Sequence, residues 1–193
     1  MGPSSMHARG DIRRCLTWLT VIGCVELVSS ADGSPCVFDG STLHDKHHVK
    51  VSCADLAGKH VALYFAGEWC PLCRRFTPAL REFHEKYKEE VALVFVTSDV
   101  SAKDAEQHFS GSQGDWLALA WGDPLVSDLK RKHRVWSGRE IGEFGPLRRS
   151  GVPCVVVISR QGDEVSFIAG ERYGAAALRE WEPAGTAKWP DEL

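Results

Sequence analysis

The sequence predicts a single α/β domain from about Cys36 onward. Two observations carry that expectation. The apolar runs Val61 to Ala66, Val91 to Val96 and Val152 to Ser159 have strand length and polar or turn residues at their ends, as expected for buried strands. Between them lie segments whose apolar residues recur at helical spacing, so strands and helices alternate. The 193 residues, 44% hydrophobic and 25% charged, suffice for one core and are too apolar for a disordered chain.

Before Cys36, residues 1–35 read as a leader. Arg9, Arg13 and Arg14 precede the apolar stretch Leu16 to Val28, and Ser29, Ser30 and Ala31 follow it, the order of a secretory signal peptide. Glu26 interrupts the stretch, which is too short to span a bilayer. An organelle-targeting or disordered leader is the alternative. At the other end, residues 184–193 read as a tail that closes on Pro190-Asp191-Glu192-Leu193. This resembles a secretory-pathway retention signal with proline in place of the basic residue. Both ends favour the secretory pathway or ER lumen, with a cytoplasmic location as the alternative.

Within the domain, Val49 and Val51 suggest a short strand, and Ala57-Gly58-Lys59 turns the chain into the Val61 strand. Phe76, Leu80, Phe83 and Tyr87 form a helical apolar stripe with Pro78 inside it. The Val91 strand ends at Thr97-Ser98-Asp99. Ser101 to Phe109 reads as a helix, Trp116 to Trp121 as an apolar segment, and Asp123 to Arg134 as a helix with Pro124 at its start. Trp136 to Arg149, rich in Gly, Arg and Glu, reads as a solvated loop. After the Val152 strand, Gln161-Gly162 turns into a hairpin strand at Glu164 to Ala169, and Tyr173 to Trp181 is expected to be the closing helix.

The chemistry concentrates at Trp69-Cys70-Pro71-Leu72-Cys73. A Cys-x-x-Cys pair between a strand and a helix places two sulfurs within disulfide reach, and the helix N-terminus favours the thiolate. That context predicts redox chemistry. Structural zinc is the competing use of such a pair, with His44, His47 and His48 nearby in sequence, but no second Cys-x-x-Cys exists. The histidines read as a polar turn, and no metal or cofactor is expected. Seven cysteines are too unevenly spaced for a disulfide scaffold in a chain this long, although Cys36 and Cys53 could pair in an oxidising compartment. A net charge of -3 without a basic block argues against nucleic acid.

The run from Val61 through Cys70-Pro71-Leu72-Cys73 to Pro78 resembles the active-site segment of the tryparedoxin and nucleoredoxin branch of the thioredoxin superfamily. Val94 to Asp99, Trp116-Leu117-Ala118-Leu119 and Gly151-Val152-Pro153 fall in the order that branch shows. The resemblance covers roughly residues 40 to 183. It implies a thioredoxin-like fold, a central mixed sheet flanked by helices, and a monomeric protein-disulfide reductase type of thiol-disulfide oxidoreductase. Its partners would be disulfide-containing client proteins and an upstream thiol donor.

Cys70 is then the attacking thiolate and Cys73 the resolving thiol, which their places on the helix also suggest. Trp69 and Pro71 flank the nucleophile. Pro153 resembles the family's cis-proline, and Val152 before it supplies substrate-facing backbone groups. A redox-responsive binding module, switching partners without turnover, is the alternative. Two departures stand out. Thioredoxins proper carry a buried Asp where this chain has Tyr64, as in the tryparedoxin-like branch, and the branch commonly has two prolines where this chain has Pro71-Leu72. Glu68 is close enough in sequence to be weighed as a base, though a place on the site rim suits it better.

Overall fold

The computed structural model describes residues 36–179; the leader and the tail lie outside the described residues. Its centre is β3 (His60–Ala66), in which Val61 through Ala66 are wholly buried. An unbroken apolar run can only be satisfied with both sheet faces covered. β3 pairs in parallel with β4 (Val91–Thr97), which pairs in parallel with β5 (Leu117–Leu119). On its other side β3 pairs antiparallel with β6 (Cys154–Ile158), and β6 with β7 (Glu164–Ile168).

Two strands of two residues each, β1 (Leu43–His44) and β2 (Lys50–Val51), complete a mixed seven-stranded sheet in the order β2-β1-β5-β4-β3-β6-β7. The histidine segment therefore divides: His44 lies in β1, while His47 and His48 lie in the turn to β2. Asp45 holds that turn by accepting the N–H groups of His47 and Val49 at 2.8 and 2.9 Å.

The helices begin where capping residues stand. α1 (Pro71–Tyr87) has Cys70 as its N-cap and proline at its first position. It continues past Pro78 and buries Phe76 and Leu80 against the sheet. α2 (Ala102–Ser112) is capped by Ser101, whose hydroxyl accepts the Asp104 N–H at 3.1 Å. α3 (Pro124–His133) is capped by Asp123, which also accepts from the Thr42 N–H and the Ser41 hydroxyl, both at 3.1 Å. One carboxylate thus starts a helix and fixes the chain entering β1.

Two expectations need correction. The segment between α3 and β6 is not a plain loop: it contains a 3-10 turn, Gly138–Glu140, and a short helix, α4 (Ile141–Phe144). Glu140 starts it by accepting the Ser137 N–H at 2.8 Å, half of the Ser-x-x-Glu capping arrangement. The closing helix also differs. It begins earlier, as α5 (Gly170–Tyr173), and breaks at Gly174, whose φ is +58°, before α6 (Ala176–Arg179). A positive φ ends helical propagation, and Trp181 lies outside the described residues.

Cys36 and Cys53 are joined in a disulfide across 17 residues of sequence, enclosing β1 and β2. A loop of that length gives about 3 kcal/mol through restriction of the unfolded chain. Replacing both cysteines by serine should therefore lower stability by about that amount in urea titration; an unchanged midpoint would show that the staple contributes nothing.

Among the described residues, no helix is long and apolar enough to cross a membrane.

Candidate active site

β3 delivers the chain to Gly67-Glu68-Trp69, and the Cys70 N–H bonds back to the Gly67 carbonyl at 3.0 Å. The turn is tight because Trp69 folds against it: a Cβ on Gly67 would stand 2.7 Å from Trp69 Nε1. Trp69 Nε1 donates to the Ser98 carbonyl, at the end of β4, at 3.0 Å. Cys70 then caps α1, its sulfur accepting the Cys73 N–H at 3.2 Å.

The structure brings Cys70 and Cys73 together and gives them unlike surroundings. Cys70 keeps 5% exposure and Cys73 none. The Cys73 thiol donates to the Cys70 sulfur. With the Cys73 and Leu72 N–H groups and the charge of Arg74, this outweighs burial and lowers the Cys70 thiol to about 6. The same hydrogen bond, together with burial, pushes the Cys73 thiol well above its ordinary value.

Opposite them, Val152–Pro153 is a cis peptide, and the Val152 carbonyl lies 3.5 Å from Cys70 Sγ. Pro71 and Leu72 are exposed, while Trp69 is half-buried. The approach to Val152 is fixed by Glu171, which accepts the Gly151 N–H at 2.5 Å and pairs with Arg148 at 3.1 Å. A Cβ on Gly151 would collide with both side chains. Cys154 is fully buried, and burial pushes its thiol up, which leaves it inert.

Beneath the pair, Tyr64 and Thr77 form a closed set. Thr77 Oγ1 donates to the Cys73 carbonyl at 2.9 Å, so the Tyr64 hydroxyl must supply the hydrogen in its 2.9 Å bond to Thr77. Burial pushes the phenol up further. Tyr64 is thus an organiser of α1, with its proton committed.

The buried carboxylate comes instead from Asp99, after β4. Its oxygens accept from the Glu68 N–H at 2.7 Å and the Thr97 hydroxyl at 2.8 Å, and meet His108 Nδ1 at 2.8 Å. Burial raises the Asp99 carboxyl, but the bonds from His108, Glu68 N–H and Thr97 outweigh it and hold the group below its usual range. Its negative charge is one cause of the raised Cys73 thiol. The Glu68 carboxylate accepts the Ser112 hydroxyl at 3.1 Å and faces His108 at 3.7 Å, so it is engaged beside the site. Along the sequence Asp99 figures as the end of a strand and of a segment that resembles the family, without a role of its own, and His108 is not singled out. The available signal was an acid just beyond the carboxyl end of a parallel strand, where α/β sheets place functional groups.

For a metal, one group of described residues lies within ligand reach: Cys36, Asp39 and Cys53. Two of its sulfurs are bonded to each other, so that set does not present a free thiolate pair.

A family profile described as Thioredoxin-like matches residues 58–164. The chain belongs to the thioredoxin-like family. Its relatives place it in the nucleoredoxin and tryparedoxin branch. It is 36% identical over 104 residues to a probable nucleoredoxin 1 of Arabidopsis thaliana, covering 52% of this chain and 18% of that protein. It is 46% identical over 91 residues to tryparedoxin of Trypanosoma brucei brucei, covering 46% of this chain and 62% of the relative. The chain thus spans less than two thirds of the length of these curated relatives. Among solved structures, thioredoxin from Wuchereria bancrofti superposes with a TM-score of 0.57 at 31% identity, over 75% of this chain and 89% of the other. Tryparedoxin from Trypanosoma brucei gives 0.52 at 30%, over 68% and 83%. The thioredoxin-like fold is therefore this chain's fold, and thioredoxin-family redox protein is its class.

Proposed function

We propose that the chain is a thiol-disulfide oxidoreductase acting on protein disulfides through Cys70 and Cys73. The observation that carries this is the asymmetry of the pair: a Cys70 thiol lowered to about 6 at the mouth, and a buried, protonated Cys73 that donates to it. The Cys70 thiolate attacks a client disulfide, forming the mixed disulfide and releasing one client thiolate, which takes a proton from solvent. Cys73 then gives up its proton and attacks Cys70 Sγ. The second client thiolate leaves and takes up the proton that Cys73 released, the client is reduced, and Cys70–Cys73 is oxidised. An upstream thiol donor returns the two electrons.

Trp69, Pro71 and the Val152–Pro153 peptide form the walls against which an extended client segment lies, with the backbone groups of Val152 available to it. The Cys36–Cys53 disulfide supports a further reading, that the domain matures in the secretory pathway, since such bonds persist in oxidising compartments.

Insulin-disulfide reduction driven by dithiothreitol tests the reading. The wild-type chain should turn over, and Cys73→Ser should accumulate a mixed disulfide through Cys70 that mass spectrometry detects. Turnover also separates an oxidoreductase from a module that changes partners on oxidation. A wild-type rate equal to the uncatalysed one would sink the enzyme reading.

A further inference from the structure

We infer that Arg139, on the 3-10 turn between α3 and β6, selects clients that carry an acidic side chain beside the disulfide cysteine. This rests on the oxidoreductase reading above. Three observations lead to it.

The turn is anchored beside the mouth of the site. Val135 bridges to Ser150 and the Arg149 N–H bonds the Arg134 carbonyl at 2.7 Å, clasping the segment at its base. Glu140, next to Arg139, pairs with the buried Lys130, whose Nζ also donates to the Thr97 carbonyl at 2.7 Å. Thr97 is the residue before Ser98, which holds the Trp69 indole. Residues far apart in sequence thus meet at the end of β4.

Arg139 itself is exposed, with its guanidinium carbon 4.1 Å from the centre of the Trp69 ring. A guanidinium stacked on an indole is held in plane while its N–H edge stays open, the arrangement that suits two-pronged binding of a carboxylate. Trp69 adjoins Cys70, so that edge lies alongside a client segment entering the site.

The cation has no carboxylate of its own among the described residues. The acids around it are engaged elsewhere: Glu140 by Lys130 and Ser137, Glu143 by Arg131, Asp99 by His108, and Glu68 by Ser112. Among the described residues, Arg74, on the first turns of α1, bonds the Glu68 carbonyl, at 2.6 Å, and no carboxylate. Two guanidinium groups therefore border the Trp69 side of the mouth, and charge complementarity calls for an acidic client residue there.

The test uses the full chain and two peptide disulfides differing only by Glu or Gln next to the attacked cysteine. An exposed ion pair gives about a two- to fivefold preference in kcat/KM for the Glu peptide at low salt, carried mainly by KM and fading as salt rises. Arg139→Gln should bring the ratio most of the way to one, the remainder being the share of Arg74, and Arg139→Lys should keep more of it. The ratio cancels any general change in activity, so a merely structural loss would lower both peptides alike. Equal rates for the two peptides with the wild-type chain, or an unchanged ratio in Arg139→Gln, overturn the inference alone. Failure of the wild-type chain to reduce either peptide beyond a Cys70→Ser control overturns the oxidoreductase reading and this inference with it.

Discussion

Of the free thiols Cys70, Cys73 and Cys154 among the described residues, iodoacetamide should alkylate Cys70, with a rate that rises through about pH 6 and is level above about pH 7. The sign follows from the thiolate being the nucleophile. Below pH 6 the Cys70 sulfur is protonated and the rate falls about tenfold per unit, whereas an ordinary cysteine keeps gaining up to its own value near 9. Lowering the thiol by three units raises the thiolate fraction at pH 7 about a hundredfold, but intrinsic nucleophilicity falls with basicity and takes back roughly twenty- to thirtyfold. The net advantage in attack is therefore a few-fold; at resolution Cys73 attacks Cys70 Sγ and the client thiolate is the group that leaves, so the lowered Cys70 thiol acts on the first step. Cys70→Ser should accordingly reduce insulin turnover to the uncatalysed rate. A profile still climbing at pH 8 would contradict the account of Cys70 as a hydrogen-bonded, helix-capping thiolate.

The second large effect concerns Asp99. Its side chain is wholly buried and that of His108 is 2% exposed, so Asp99→Ala leaves a buried imidazole and the Glu68 N–H without their acceptor. Each buried donor left without its acceptor costs about 1–3 kcal/mol, and with the His108, Glu68 N–H and Thr97 donors involved the sum lowers the melting temperature by on the order of 10 °C. The pH dependence has a definite sign. The folded-state value of Asp99 lies below the ordinary 3.8, so its contribution is fully present above that value and is lost as pH falls beneath it through the lowered folded value. The wild-type protein should therefore lose more stability below pH 4 than Asp99→Asn does. Because the Asp99 charge also raises the Cys73 thiol, both variants should resolve a trapped mixed disulfide at lower pH than the wild type. A loss below about 1 kcal/mol in Asp99→Ala would show that the pair behaves as an exposed one.

What could be read along the chain was whatever depends on near neighbours. The strands at Val61, Val91 and Val152 announce themselves by continuous apolar side chains, and α1, α2 and α3 by a stripe together with Ser101, Asp123 or a leading proline. Cys70 and Cys73 were legible because their three-residue spacing at a strand-to-helix junction is itself the geometry. β1 was missed for the opposite reason: two residues have no period, and Leu43 becomes a strand by pairing with Val51 on one side and Leu119 on the other. The Ser137–Glu140 spacing was present in the sequence and went unread inside a stretch rich in Gly and Arg. Gly174 broke the closing helix because its positive φ overrides the apolar spacing around it.

The sequence by itself determined the α/β alternation, the two sulfurs and the likeness to one branch of a redox family, since each lies in a short run of residues whose backbone they dictate. Only the tertiary structure decided what surrounds those sulfurs. Val152 reaches Cys70 across 82 residues of chain, Arg139 reaches Trp69 from another turn, and Asp99 takes its place beneath the site because β4 ends beside β3. Hydrogen bonds, burial and charge fall off over a few ångströms, so the ionisation of Cys70 and Cys73 depends on groups that chain order keeps apart and the sheet brings together.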